Sequence, residues 1–311
     1  MNIVFLGSSE FSIPSLEALY NSQHNLVGVI SRPDRPKGRG LEVSSTPVTA
    51  FARESNIPLY QPEDICAAES VQTLGGMKPD LLVIVSFGRI LTRAVLDIPS
   101  EGTVNVHASL LPCYRGAAPV EWALVNGETE TGVTIFRVTE KLDAGDIIRQ
   151  KAVPISDADD AVSMAGKLGR AGAQALLESI RLIETGTARF QPQDEKMVTR
   201  APKIRTQDRR TDWTRSSADI RNFIRGLTTV GCAYSFLKET RIAFWEARAL
   251  PTQGPAAPPG TILAISPEEG IVVAAGKGVL SVLSLQRESG KQMNAYAFTL
   301  GHHVAVGDRF E

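Results

Sequence analysis

Asn105 and His107 stand two residues apart in Val104-Asn105-Val106-His107-Ala108-Ser109-Leu110-Leu111-Pro112. On an extended strand that spacing puts both side chains on the same face. A carboxamide beside an imidazole offers one bound atom a hydrogen-bond donor and a titratable group. A lone histidine is as readily structural, so the spacing alone leaves both readings open. A second acidic turn, Leu142-Asp143-Ala144-Gly145-Asp146, follows a strand-like run from Gly132 to Val138. It reads as an ordinary Asx turn or as a carboxylate for chemistry, and nothing in its spacing places it near His107. Cys113 has no neighbour that would make it a nucleophile, and His302-His303 lack a third ligand at metal spacing, so no metal site is expected.

Two stretches carry one-sided charge. Ser31-Arg32-Pro33-Asp34-Arg35-Pro36-Lys37-Gly38-Arg39-Gly40 sets Arg32, Arg35, Lys37 and Arg39 against a single Asp34. Its prolines disfavour a helix and its glycines permit close backbone approach, as a loop that meets phosphates requires. Between residues 196 and 215, seven bases, among them Lys203, Arg205, Arg209 and Arg210, face only Asp208 and Asp212. A solvated linker and a nucleic-acid contact are both compatible with that run.

The elements that must position these groups follow from hydrophobic period. Asn2 to Gly7 and Leu26 to Ile30 read as strands flanking a helix through Leu16 and Leu19. Asp80 to Ser86 and Gly102 to His107 extend the series, with a helix over Val48 to Glu54 and a short strand at Ile57 to Tyr60. Runs apolar on both faces predict a mainly parallel sheet covered by helices. Gly7-Ser8-Ser9-Glu10-Phe11 occupies the first strand-to-helix turn but lacks the later glycines of a dinucleotide fingerprint, so no nicotinamide or flavin is expected. A long helical pattern runs from Asp157 to Glu184 and stops at Gly186. Beyond it, a helix over Ser217 to Arg225 precedes short strand-like runs between Gly and Pro turns, which predict a small OB-type β-barrel. The expected organisation is an α/β, Rossmann-like domain at 1–189, a basic linker at 190–207 and the barrel domain at 208–311.

With 311 residues, two domains are the natural expectation. Apolar residues make up 43% and charged residues 22%, which excludes disordered and collagen-like classes. The net charge of -1 gives no whole-molecule attraction to nucleic acid or membrane, so any such partner must be held by a local patch. Three cysteines without a C-x-x-C pair point to a reducing compartment. No signal peptide or membrane span is read, and a cytoplasmic location is expected.

Taken together, Phe5-x-Gly7 with Phe11, Pro33-Asp34-Arg35-Pro36-x-Gly38-Arg39-Gly40, Asn105-x-His107-x-Ser109-Leu110-Leu111-Pro112 and Arg115-Gly116-Ala117-Ala118-Pro119 resemble the folate-dependent formyltransferases, in their methionyl-tRNA branch. Thr131-Gly132-Val133-Thr134 and Leu142-Asp143-x-Gly145-Asp146 belong to the same resemblance, which runs over nearly the whole chain. It implies formyl transfer from 10-formyltetrahydrofolate to the α-amino group of methionyl initiator tRNA, for translation initiation. It also implies Asn105, His107 and Asp143 as the catalytic trio, and Ser109, Leu110, Leu111 and Pro112 as the folate-contacting loop. The basic loop with Arg32, Arg35, Lys37 and Arg39, and the linker with Lys203, Arg205, Arg209 and Arg210, would meet the tRNA. Oligomeric state is left open, a monomer being compatible.

That implied chemistry is physically coherent. An α-amino group has a reference pKa of about 7.7 to 8.0, so a useful neutral fraction attacks directly without a covalent enzyme intermediate. Asn105 and a protonated His107 would donate to the tetrahedral oxyanion, while Asp143 would hold the imidazole and relay protons. Ser9, Phe87, Cys113 and Glu42 depart from the usual pattern, and the last two weaken the expected phosphate contacts. A formyltransferase for an amino sugar nucleotide or glycinamide ribonucleotide would share the trio; a formyltetrahydrofolate hydrolase would transfer to water and require no charged tRNA. A catalytically silent tRNA-binding protein would need only the linker and barrel.

Overall fold

The computed structural model describes residues 1–37, 42–251 and 257–311. Leu81–Val85 is buried at every position and Asn2–Gly7 at all but its first, the pattern that results when helices cover both faces of a parallel sheet. These strands lie at the centre of a seven-stranded sheet. Its order is Ile147–Pro154, Glu130–Arg137, Thr103–His107, Leu81–Val85, Asn2–Gly7, Asn25–Ile30, Leu59–Tyr60. The five strands from Thr103–His107 to Leu59–Tyr60 are parallel, and the other two form an antiparallel hairpin at one edge.

Chain order reverses between Asn2–Gly7 and Leu81–Val85, and a crevice forms outside the carboxyl ends of strands at such a switch. Ser12 Oγ donates to the carbonyl of Val85 at 2.6 Å and ties the first helical turn to this point. The helix Ala161–Glu184 starts where Asp160 Oδ1 accepts from Ser163 N at 2.8 Å, a few residues later than the periodicity predicts, because Asp160 caps it. Gly172 brings this helix against the Thr103–His107 strand: a Cβ there would lie 2.7 Å from Val106 Cγ1.

The chain forms two compact units. One comprises Met1–Pro119, Glu130–Pro154 and Ala165–Pro202; the other comprises Val120–Thr129, Ile155–Met164 and Lys203–Glu311. The segment read as a linker is thus divided: Gln191 bridges Ile147, and Arg200–Ala201 pairs in parallel with Arg115–Gly116, all within the first unit. Conversely, Val125 packs in the second unit's core with Trp213, Ile220 and Ile224.

The second unit holds an antiparallel sheet ordered Ala233–Leu237, Thr240–Leu250, Val279–Arg287, Gly270–Ala274, Ile262–Ser266, with Gln292–Asn294 beside Val279–Arg287. The chain end joins its two outer strands into a barrel-like arrangement: Phe310 bridges Leu237, and Arg309 bridges Thr261. Inside, Trp213 meets Phe244 edge-on at 5.6 Å and stacks on Phe310 at 5.4 Å. Its indole N–H donates to Ser235 Oγ at 3.0 Å, so the ring is buried without an unpaired donor.

Candidate active site

The Thr103–His107 strand sets Asn105 opposite Phe136 and His107 opposite Thr134 on the antiparallel neighbour. The His107 ring lies edge-on to Phe136, with centroids 6.4 Å apart, and is 5% exposed. Asn105 is half-buried, and among the described residues its amide makes no hydrogen bond within the protein. A carboxamide left unpaired at the carboxyl end of a central strand is available to a ligand.

The loop after this strand is tied down from beneath. Thr134 Oγ1 donates to the carbonyl of Ser109 at 2.6 Å and accepts from Leu111 N at 3.0 Å. Gln150 Nε2 donates to the carbonyl of Leu111 at 2.7 Å and to Thr134 Oγ1 at 3.0 Å. Ser109 Oγ donates to the carbonyl of Cys113 at 2.6 Å, and the Leu111-Pro112 peptide is cis. Gly132 lets the hairpin approach so closely that a Cβ there would lie 2.5 Å from Leu110 Cδ2. Of the four loop residues expected to meet folate, Ser109 and Leu111 are buried in the loop itself; Leu110 and Pro112 are half-buried and offer apolar surface.

The structure brings Asp143 to His107. Its Oδ2 lies 3.8 Å from Nδ1, within ion-pair range but beyond a hydrogen bond. The same oxygen accepts from Gly116 N at 2.9 Å. On the other side of the ring, Nε2 lies 3.0 Å from the carbonyl oxygen of Tyr114, which can only accept, so Nε2 carries a proton. This Tyr114 contact leaves Nδ1 as the nitrogen facing the carboxylate, a detail that residue spacing does not reveal.

Arg115, Gln193, Glu195, Thr134 and Gln150 shape the site and were given no role by the sequence. Arg115 is 3% exposed, and its Nη2 donates to Glu195 Oε1 at 2.9 Å. The guanidinium holds the Glu195 carboxyl below its ordinary value, chiefly through that hydrogen bond. The places of Arg115 and Thr134 in the motifs that carry the family resemblance are the available signal.

The basic residues are less uniformly free than their sequence implies. Arg32 Nε donates to the carbonyl of Phe87 at 3.0 Å, and Arg35 pairs with Glu63 at 2.5 Å. Asp34 is held below its ordinary value by hydrogen bonds from Gln61, then from Arg53 and Ser45. Lys37 is described as backbone alone, and Arg39 lies outside the described residues. In the second unit Arg209 is half-buried and donates to the carbonyl of Gly231 and to Thr206 Oγ1, while Arg210 sits 5.7 Å from the Phe236 ring. Lys203, Arg205 and Arg210 are exposed, and none forms a salt bridge among the described residues.

Among the described residues no group of three or more His, Cys, Asp or Glu is arranged to hold a metal ion, and no helix is long and apolar enough to cross a membrane.

Residues 1–180 match the family described as Formyl transferase, and residues 203–303 match Formyl transferase, C-terminal domain. The chain belongs to the formyl transferase family. A methionyl-tRNA formyltransferase from Geobacter sulfurreducens is 38% identical over 309 residues, covering 99% of this chain and 96% of that protein. Another methionyl-tRNA formyltransferase, from Fusobacterium nucleatum, is 38% identical over 309 residues, 99% of each chain. Among solved structures, HypX from Aquifex aeolicus in complex with tetrahydrofolic acid shares the fold with a TM-score of 0.65 at 18% identity, over 96% of this chain and 47% of that one.

Proposed function

We propose that this protein transfers the formyl group of 10-formyltetrahydrofolate to the α-amino group of methionyl initiator tRNA. The observation that carries the mechanism is the half-buried, unpaired amide of Asn105 two residues before a histidine whose Nδ1 faces Asp143. Near-full-length identity to methionyl-tRNA formyltransferases supports the choice of acceptor. The residues fit a folate co-substrate: Leu110 and Pro112 present apolar surface beside a free donor at the carboxyl end of the sheet.

The co-substrate supplies an activated formyl carbon attached to nitrogen. Asn105 donates to the oxygen that becomes negative as the amine attacks, an interaction worth on the order of 2.7–4 kcal/mol in the barrier. Tyr114 fixes the His107 ring through Nε2, so that Nδ1 and the Asp143 carboxylate act together. Asp143 Oδ2 is engaged by Gly116 N, while Oδ1 makes no hydrogen bond among the described residues and is open to a proton. The N–H proton shed by the attacking amine passes to Asp143 and returns, through water, to the folate nitrogen as its bond to the formyl carbon breaks. The first unit would carry this chemistry, and Lys203, Arg205 and Arg210 in the second would contribute to the tRNA contact. A role in translation initiation supports a cytoplasmic location.

The test is incubation with 10-formyltetrahydrofolate and, separately, methionyl-tRNA, an amino sugar nucleotide, or no acceptor. Formylmethionyl-tRNA as the dominant product is expected. Exclusive formylation of the sugar, or release of formate alone, would overturn the proposal.

A further inference from the structure

One three-residue stretch holds both titratable members of the site by its backbone. The carbonyl of Tyr114 accepts from His107, and Gly116 N donates to the Asp143 carboxylate. Between them, the buried side chain of Arg115 runs into a half-buried network. Its Nε and Nη2 donate to Gln193 Oε1 at 3.0 and 2.8 Å. Gln193 Nε2 in turn donates to the carbonyl of Asp143 at 2.9 Å and to that of Gly145 at 2.7 Å.

This amide is fully used. Both protons of Nε2 have carbonyl acceptors and Oε1 has two guanidinium donors, so the opposite amide orientation would set donor against donor and acceptor against acceptor. The backbone it grips needs holding, because Asp143 has φ 50, a left-handed conformation that residues other than glycine adopt at a cost. Gln193 is itself anchored on a paired segment: Gln191 bridges Ile147, and Arg115 N donates to the carbonyl of Thr199 at 3.0 Å.

We propose that Gln193, oriented by Arg115, is a positioning residue that sets the Asp143 carboxylate against His107 for formyl transfer. The inference rests on the formyl-transfer reading of the site. Gln193 touches no reacting atom; it acts by fixing the turn from which the carboxylate projects. Residues that orient metal ligands from behind cost on the order of 10- to 100-fold in activity when lost, and a loss of the same order is expected of a residue that orients a carboxylate in the same way.

The experiment compares full-length Gln193→Glu and Gln193→Leu with wild type, using His107→Ala as a reference. Gln193→Glu keeps acceptors for Arg115 but removes both donors to the carbonyls; Gln193→Leu removes both halves. In each variant kcat for methionyl-tRNA should fall roughly 10- to 100-fold, with KM for either substrate within about threefold. In NMR spectra of protein carrying 15N-histidine, the ring signals of His107 should move while those of the other three histidines stay in place. His107→Ala identifies the His107 signals. A wild-type kcat in folded Gln193→Glu protein, with His107→Ala inactive, overturns the positioning role and leaves the formyl-transfer reading standing. A loss of kcat with unmoved His107 signals overturns the route through this pair. Wild-type turnover in His107→Ala overturns the reading on which both rest. Should Gln193→Leu fail to fold, Gln193→Glu decides alone.

Discussion

The Asp143 carboxylate reaches His107 from a sequence distance of 36 residues, with Oδ2 at 3.8 Å from Nδ1 and fixed there by Gly116 N. Replacing Asp143 with Asn keeps an acceptor for Gly116 but removes the charge and the proton site. Turnover should fall roughly 10²- to 10⁴-fold while folate and tRNA binding are retained. Steady-state kinetics with both substrates varied checks this; an unchanged kcat would remove Asp143 from the mechanism.

The free bases of the second unit should dominate the salt response of tRNA binding. Substituting Lys203 and Arg205 together by Ala should reduce the slope of log affinity against log salt by about 1 to 2 units. Arg35→Ala should change it less, since Arg35 is already paired with Glu63 at 2.5 Å. Titrations from low to moderate salt measure both slopes. Equal slopes in wild type and the double variant would assign the RNA contact elsewhere.

Cys232 gives a pH signature. It is 1% exposed, and burial pushes its thiol up to about 11 from an ordinary value of 9.0. Below pH 9 folded and unfolded chains both hold this proton, so it has no effect on stability. Between about 9 and 11 the unfolded chain loses it first, and the native state is progressively disfavoured. Alkaline loss of stability should therefore be shallower in Cys232→Ala than in wild type, as denaturant unfolding across that range will show. Identical pH dependence would mean the thiol is not desolvated.

The second unit's core turns on Trp213. Its ring packs against both Phe244 and Phe310, which also touch each other, and Phe310 belongs to the segment bridging the outer strands. Trp213→Ala should cost about 3–5 kcal/mol of stability, seen as a lowered denaturant midpoint for the barrel. A loss below about 1 kcal/mol would show that the cavity closes by collapse.

What was legible in the sequence was what local pattern encodes. Leu81–Val85 reads as a strand because every residue is apolar, and Asn105 and His107 share a face because strands alternate. The edge strand Ile147–Pro154 is not legible in the sequence: only Ile147 is buried, and Arg149, Gln150 and Lys151 interrupt the apolar signal. The short helix Ala295–Gly301 was also missed; one turn shorter than most helices, it leans on Phe298 packed in the barrel core. The linker's earlier part reads as irregular because its partners are remote: Gln193 meets Arg115 across 78 residues and Asp143 across 50. The meeting of Asp143 with His107 came only through family resemblance, since no periodicity relates a turn to a strand end three dozen residues away.

The most direct measurement is single-turnover formyl transfer to methionyl-tRNA from saturating 10-formyltetrahydrofolate, for wild type, Asn105→Ala and His107→Ala. Wild type should convert all bound methionyl-tRNA to formylmethionyl-tRNA. Asn105→Ala should be slower by roughly 10²- to 10³-fold and His107→Ala by at least as much, with tRNA binding retained in both. Near-wild-type rates in both variants, or no formylmethionyl-tRNA from the wild type, would contradict the account.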